Sequence, residues 1–138
     1  MVMTTATAAV FPWRDEYSVR IPEIDSQHKV LIRLINDLHA AMLQGKGKDA
    51  LSAIVNELVR YTESHFAFEE SLLQKRNYSG LAAHRQVHRD LTRQVYELRE
   101  KVQAGKLTIT MEVMTFLKDW LANHILSQDQ AYAREISR

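Results

Sequence analysis

Apolar residues recur through most of this chain at intervals that alternate between three and four, a spacing that specifies helices with one buried seam each. The first such segment carries Leu31, Ile35, Leu38 and Met42; the second Leu51, Leu58 and Leu72; the third Leu81, Leu91, Val95, Leu98 and Val102; the fourth Val113, Leu117 and Leu121. No stretch of similar length alternates with period two, so strands are not expected. The chain has only 4 Gly and 2 Pro, and they fall where such helices should stop. Pro12 and Pro22 bracket an N-terminal arm, Gly45 and Gly47 sit in a short polar loop, the stretch from Asn77 to Gly80 makes a second break, and Gly105 makes a third. This punctuation predicts helices over Asp25 to Gln44, Asp49 to Arg76, Leu81 to Ala104 and Thr110 to Ser137, with Asp25, Asp49, Ser79 and Thr108 or Thr110 as N-caps. Short connections favour antiparallel neighbours. The expected fold is therefore all-α: an antiparallel up-down-up-down four-helix bundle over residues 25–137, an extended N-terminal arm over residues 1–22, and one domain over residues 1–138.

The buried seams are not purely apolar. His28 falls on the first, His65 and Glu69 on the second, His84 and His88 on the third, and His124 and Asp129 on the fourth. In an antiparallel bundle these positions can be levelled by counting. His28 lies about 17 residues before the first loop and His65 about 17 after it, and at about 1.5 Å per residue they reach the same height. The same count about Gly105 brings His84 and His88 near the height of His124 and Asp129. A buried imidazole or carboxylate without a partner costs several kcal/mol, so one layer of such groups needs a compensating partner. A hydrogen-bonded network would satisfy any single buried histidine. His65 with Glu69 and His84 with His88 are i,i+4 pairs, however, whose side chains project side by side as a metal chelate requires. These ligands outnumber the four to six that one transition ion accepts, so the arithmetic asks for two ions that share carboxylates. Imidazole-rich sites suit iron, zinc, copper or nickel, and spacing leaves that choice open.

Composition narrows the alternatives. With no cysteine, thiolate metal sites, c-type haem and cysteine nucleophiles are excluded, so a metal must be held by nitrogen and oxygen. A formal net charge of +1 with both signs interspersed offers no basic field for nucleic acid and no polybasic face for a membrane. No Lys or Arg precedes the small apolar residues at the N-terminus, whose run is too short to span a bilayer, so the reading is a cytoplasmic protein rather than a secretory precursor.

The order His28, then His65-Phe-Ala-Phe-Glu69, then His84-Arg-Gln-Val-His88, then His124-Ile-Leu-Ser-Gln-Asp129 resembles the complete hemerythrin signature, specifically that of the single-domain bacterial hemerythrins. The resemblance runs from Trp13 and the Ile24-Asp25-Ser26-Gln27-His28 approach to Tyr132. It implies a non-haem di-iron centre in which His84, His88 and His124 bind one iron, His28 and His65 bind the other, and Glu69 and Asp129 bridge them together with an oxo or hydroxo group. The first iron is then saturated and the second has a vacancy for dioxygen. By the same resemblance Leu31, Phe66, Trp120, Leu121 and Ile125 line the dioxygen pocket; read from the residues alone, they are equally ordinary core.

The implied activity is reversible dioxygen binding by a carrier, store or delivery protein that is not an enzyme, with a monomer expected and any protein partner unidentified. The alternatives are a sensing module acting through a partner and a di-iron enzyme consuming peroxide or nitric oxide. Ferritin-like di-iron sites have four carboxylates where this chain has two, and fewer anions stabilise high-valent iron less, which favours reversible binding over substrate oxidation. Three further residues carry expectations. His39 is too far along its helix from His28 to ligate. Trp13 is read as packing, and Tyr132 as either a donor to a ligand carboxylate or a cap on the bundle. Finally, His124 and Asp129 would diverge by about 140° on an ideal helix. They can serve one site only if a π-bulge or local unwinding lies between Ile125 and Asp129.

Overall fold

The computed structural model describes residues 9–106 and 108–136. Four long helices form a bundle: α1 (Pro22–Leu43), α2 (Lys48–Lys75), α3 (Leu81–Gln103), and a fourth rod made of α4 (Met111–His124), a π-turn (Ile125–Asp129) and α5 (Gln130–Ile136). There is no strand among the described residues. Helix α1 packs on α2 and on α4, and α2 packs on α3. The Trp120 indole N–H donates to the Leu91 carbonyl at 3.2 Å and joins α4 to α3.

Three of the four expected N-caps are displaced, although α3 begins at Leu81 as the spacing predicts. Helix α1 begins at Pro22, whose missing N–H is no loss in a first turn and whose fixed φ suits it. Asp25 therefore lies inside the helix. Its carboxylate accepts the Ser18 hydroxyl at 2.6 Å and the Val19 N–H at 2.9 Å, tying down the arm instead of capping. Gly47, not Asp49, precedes α2, and Asp49 places its negative charge in the first turn, where the helix dipole favours it. Gly80, not Ser79, precedes α3; Ser79 donates its N–H and hydroxyl to Glu135 at 2.9 and 2.6 Å. Thr110 does cap α4, accepting the Val113 N–H at 3.4 Å. Ser137, the expected end of the last helix, lies outside the described residues.

The ends of α1, α2 and α3 share one device. Gly45, Asn77 and Gly105 adopt φ of 70°, 55° and 72°, the left-handed conformation that glycine takes freely and asparagine at small cost. At each end the next residue's N–H reaches back to the helix: Lys46 to Ala41, Tyr78 to Leu73 and Lys106 to Lys101. These reversals consume the last free carbonyls and turn the chain within a few residues, which is what makes consecutive helices antiparallel.

The arm is not simply extended. Residues 1–8 of it lie outside the described residues; beyond them, Phe11 is fully buried and its backbone N–H and carbonyl both pair with the Asn36 amide at 2.9 Å. A 3-10 turn follows at Asp15–Tyr17. Trp13 packs edge-on against Tyr17 beneath the Lys29 ammonium, the packing role expected of it. The apolar core divides in two. A large cluster from Leu31, Leu58, Leu98, Leu117 and their neighbours fills one end, and a small one of Val19, Ile24, Leu73, Tyr132 and Ala133 fills the other. The polar residues of the seams lie between them in every helix. Among the described residues no helix is long and apolar enough to cross a membrane.

Candidate metal centre

All seven seam residues are buried: His28, Glu69 and Asp129 are fully inaccessible and His65, His84, His88 and His124 nearly so. They converge as the levelling argument required, and in two groups: Glu69, His84, His88, His124 and Asp129 form one, and His28, His65 and Glu69 the other. Each histidine turns Nε2 inward. Glu69 Oε1 lies 2.8 Å from His84 Nε2 and 2.9 Å from His88 Nε2, while its Oε2 lies 3.6 Å from His65 Nε2 and 3.8 Å from His28 Nε2. Asp129 divides in the same sense, with Oδ1 at 3.1 Å from His124 and 3.3 Å from His84, and Oδ2 at 3.1 Å from His28. Taken together, Glu69 Oε1 and Asp129 Oδ1 face the three imidazoles of His84, His88 and His124, and Glu69 Oε2 and Asp129 Oδ2 face the two of His28 and His65.

The fourth helix reaches this arrangement through the π-turn at Ile125–Asp129, located where the spacing of His124 and Asp129 demanded it. One wider turn lets both residues face inward. The Ser127 hydroxyl donates to the Asn123 carbonyl at 2.6 Å, bracing the turn.

The donor set fits metal ions better than it fits its own members. The Nε2 atoms of His28, His65, His88 and His124 and both Asp129 carboxylate oxygens are buried with no aligned hydrogen-bond partner, although opposite atoms lie close by. Buried polar atoms are rarely left so unless something binds them. Electrostatics tell the same story. Burial pushes His65 down to about 4 despite the pull of Glu69, so its Nε2 keeps a free lone pair. Burial opposes charge on His84 as well, but Asp129 and Glu69 outweigh it and raise His84 to about 9. His124 is raised by Asp129 against its own burial. Burial and Asp129 would raise Glu69, yet His84, His88 and His65 hold it at about 2; Asp129, against burial, is held well below the usual range, chiefly by His124. A cluster of imidazoles around two ionised carboxylates is a ready cation site.

Outer contacts orient several of these groups. His65 Nδ1 donates to Gln27 Oε1 at 2.7 Å, His88 Nδ1 to Glu70 Oε2 at 2.7 Å, and His124 Nδ1 to Gln128 Oε1 at 3.3 Å. With the proton on Nδ1, the inward Nε2 is left as the atom able to take a metal ion. Tyr132, for which two roles were open, donates its hydroxyl to Glu69 Oε2 at 2.8 Å, and burial with the nearby carboxylates raises its pKa. Glu70 and Gln128 were not singled out by sequence. Each directly adjoins a carboxylate of the cluster in the chain; the partner of Glu70 lies on another helix, beyond the reach of spacing rules, whereas Gln128 stands four residues after His124, a spacing that could have found it.

Leu31, Phe66, Trp120, Leu121 and Ile125 are all buried in the large apolar cluster or, for Phe66, against the histidines. Phe66 stacks face to face on His88 with ring centroids 3.8 Å apart, and touches His65 and His124 at 5.7 and 5.8 Å. His39 is half-buried farther along α1 and belongs to neither of the two groups that could hold a metal ion.

The Hemerythrin HHE cation binding domain family matches residues 19–136. The chain is 41% identical over 128 residues to a bacteriohemerythrin from Stenotrophomonas maltophilia, covering 93% of this chain and 82% of that protein. It is 31% identical over 132 residues to one from Methylococcus capsulatus, covering 96% and 95%. A crystal structure of wild-type hemerythrin superposes with a TM-score of 0.86 at 30% identity, covering 94% of this chain and all of that one. A family match over most of the length, the same bundle, and a buried histidine and carboxylate cluster at its heart agree: the chain belongs to the hemerythrin family.

Proposed function

We propose that this protein holds two iron ions, with His84, His88 and His124 on one, His28 and His65 on the other, and Glu69 and Asp129 shared, and that it binds dioxygen reversibly at the two-histidine half. The observation that carries this reading is the division of the carboxylates, since one oxygen from each is directed to the set of His84, His88 and His124 and the remaining oxygen of each to the set of His28 and His65. Unequal nitrogen counts with equal shares of carboxylate make one half the more open. Iron bound there supplies electrons and a free coordination position for dioxygen.

The residues around it govern reversibility. Leu31, Phe66, Leu121 and Ile125, with Trp120, form an apolar wall that withholds water and protons from the open position. Gln27 fixes the tautomer of His65 beside that position, and Tyr132 holds Glu69 from the opposite end. Tyr132 also offers a proton donor one bond from the shared carboxylate, while its raised pKa keeps that proton in place. The relatives named bacteriohemerythrin support the reading by kinship.

Metal analysis of anaerobically loaded protein should find two irons per chain. Dioxygen added to the reduced protein and then purged by inert gas should return the starting optical spectrum. Irreversible oxidation on first exposure, or repeated turnover with a co-substrate, would replace the carrier with an enzyme.

A further inference from the structure

The two halves of the centre differ outside the ligands as well as in them. On the two-histidine half, His65 donates to a neutral amide, Gln27 Oε1, at 2.7 Å. On the three-histidine half, His88 donates at the same 2.7 Å to a carboxylate, Glu70 Oε2. Glu70 is not buried with its partner: its side chain is 26% exposed against 2% for His88, and its other oxygen lies 3.4 Å from Arg85 Nε. It stands on the wall of a surface groove between α2 and α3 that Phe66, His88 and Arg89 also line. Glu70 thus meets solvent and a guanidinium on its outer side and the His88 ring, which leads to the centre, on its inner side.

We propose that Glu70 is a positioning residue that makes the two halves electronically unequal, strengthening His88 as a ligand and favouring higher charge on the three-histidine half. An imidazole hydrogen-bonded to a carboxylate has more electron density on its other nitrogen than one bonded to an amide. The acceptor atom and distance are matched in the two halves, so charge is the variable that differs. The inequality directs the more oxidised state toward the saturated half and leaves the open half electron-rich, where a ligand that accepts electrons would bind. This rests on the di-iron reading above.

Glu70→Gln keeps an acceptor oxygen and removes the charge, whereas Glu70→Ala removes both. Protein loaded with cobalt, a redox-silent probe under these conditions, should release metal to a chelator in two phases. The slower phase should quicken about 10-fold in Glu70→Gln, with the metal-free melting temperature unchanged. An electrode titration of the iron-loaded protein should show the two one-electron steps moving closer together in the same variant. Gln27→Glu, which charges the other half, should also draw the two steps together, and it keeps the test decisive should the Glu70 variants fail to fold. If wild-type protein takes up fewer than two ions, the functional reading fails and this inference with it. If it takes up two, and Glu70→Gln releases them at the wild-type rate with unmoved steps, only the role of Glu70 is overturned. A defect confined to Glu70→Ala would likewise overturn it, since geometry rather than charge would be at work.

Discussion

His124 Nε2 and Asp129 Oδ1 lie 3.1 Å apart although an ideal helix would point their side chains about 140° from each other. The π-turn at Ile125–Asp129 closes that gap. Such a turn has poorer backbone geometry than the α-helix around it, and it persists where the side chains it aligns are held together.

Metal bound by both residues should hold the turn shut. Hydrogen exchange compared with and without metal should therefore show the amides of residues 125–129 losing protection on metal removal well beyond those of α1. Equal changes across the bundle would mean that packing, not ligation, maintains the turn.

The metal-free protein should be most stable near pH 6.5. His84 has its pKa raised from 6.5 to about 9, so its contribution is complete below 6.5 and is lost as pH rises through 9. His65 is lowered from 6.5 to about 4, so its contribution is complete above 6.5 and disappears as pH falls through 4. Glu69, lowered from 4.5 to about 2, adds a further loss below 4.5. Metal displaces the proton from His84, so loading should release protons at neutral pH and the stability gained by loading should grow toward pH 9. Denaturant unfolding across this range, with pH-stat measurement of proton release, checks both. A flat metal-free profile from 6.5 to 9 would contradict the assignment of His84.

Two buried hydroxyls should respond with opposite signs. Tyr132 donates to Glu69 Oε2, and Tyr132→Phe should destabilise the metal-free fold by about 2 kcal/mol because a buried carboxylate loses a donor. Thr62 is fully buried on α2, one turn before His65, and its hydroxyl has no hydrogen-bond partner among the described residues. Thr62→Val, of nearly the same shape, should stabilise by about 1 kcal/mol. Thermal or urea unfolding decides each; a destabilised Thr62→Val would reveal a partner for that hydroxyl.

Sequence alone determined the bundle and the identity of its polar layer. Apolar spacing, the few helix-breaking residues and the antiparallel count about each loop are local or additive quantities, so His28, His65, Glu69, His84, His88, His124 and Asp129 could be assigned one height before any contact was known. The π-turn was legible for the same reason, because a spacing of five contradicts helical phase unless the backbone changes. The N-caps were less so. Asp25, Asp49 and Ser79 have the chemistry of caps, but Pro22, Gly47 and Gly80 compete for the same ends, and tertiary partners settled the contest: Asp25 serves the arm and Ser79 serves Glu135. Only the folded bundle decided which carboxylate oxygen faces which histidines, that Tyr132 reaches Glu69, and that His65 meets an amide where His88 meets a carboxylate. Most of those pairings join residues on different helices, at distances between 2.7 and 3.8 Å. Helical periodicity fixes the direction of a side chain to a fraction of a turn, and hydrogen bonding discriminates at a fraction of an ångström, so the finer selection had to await the packing of the helices.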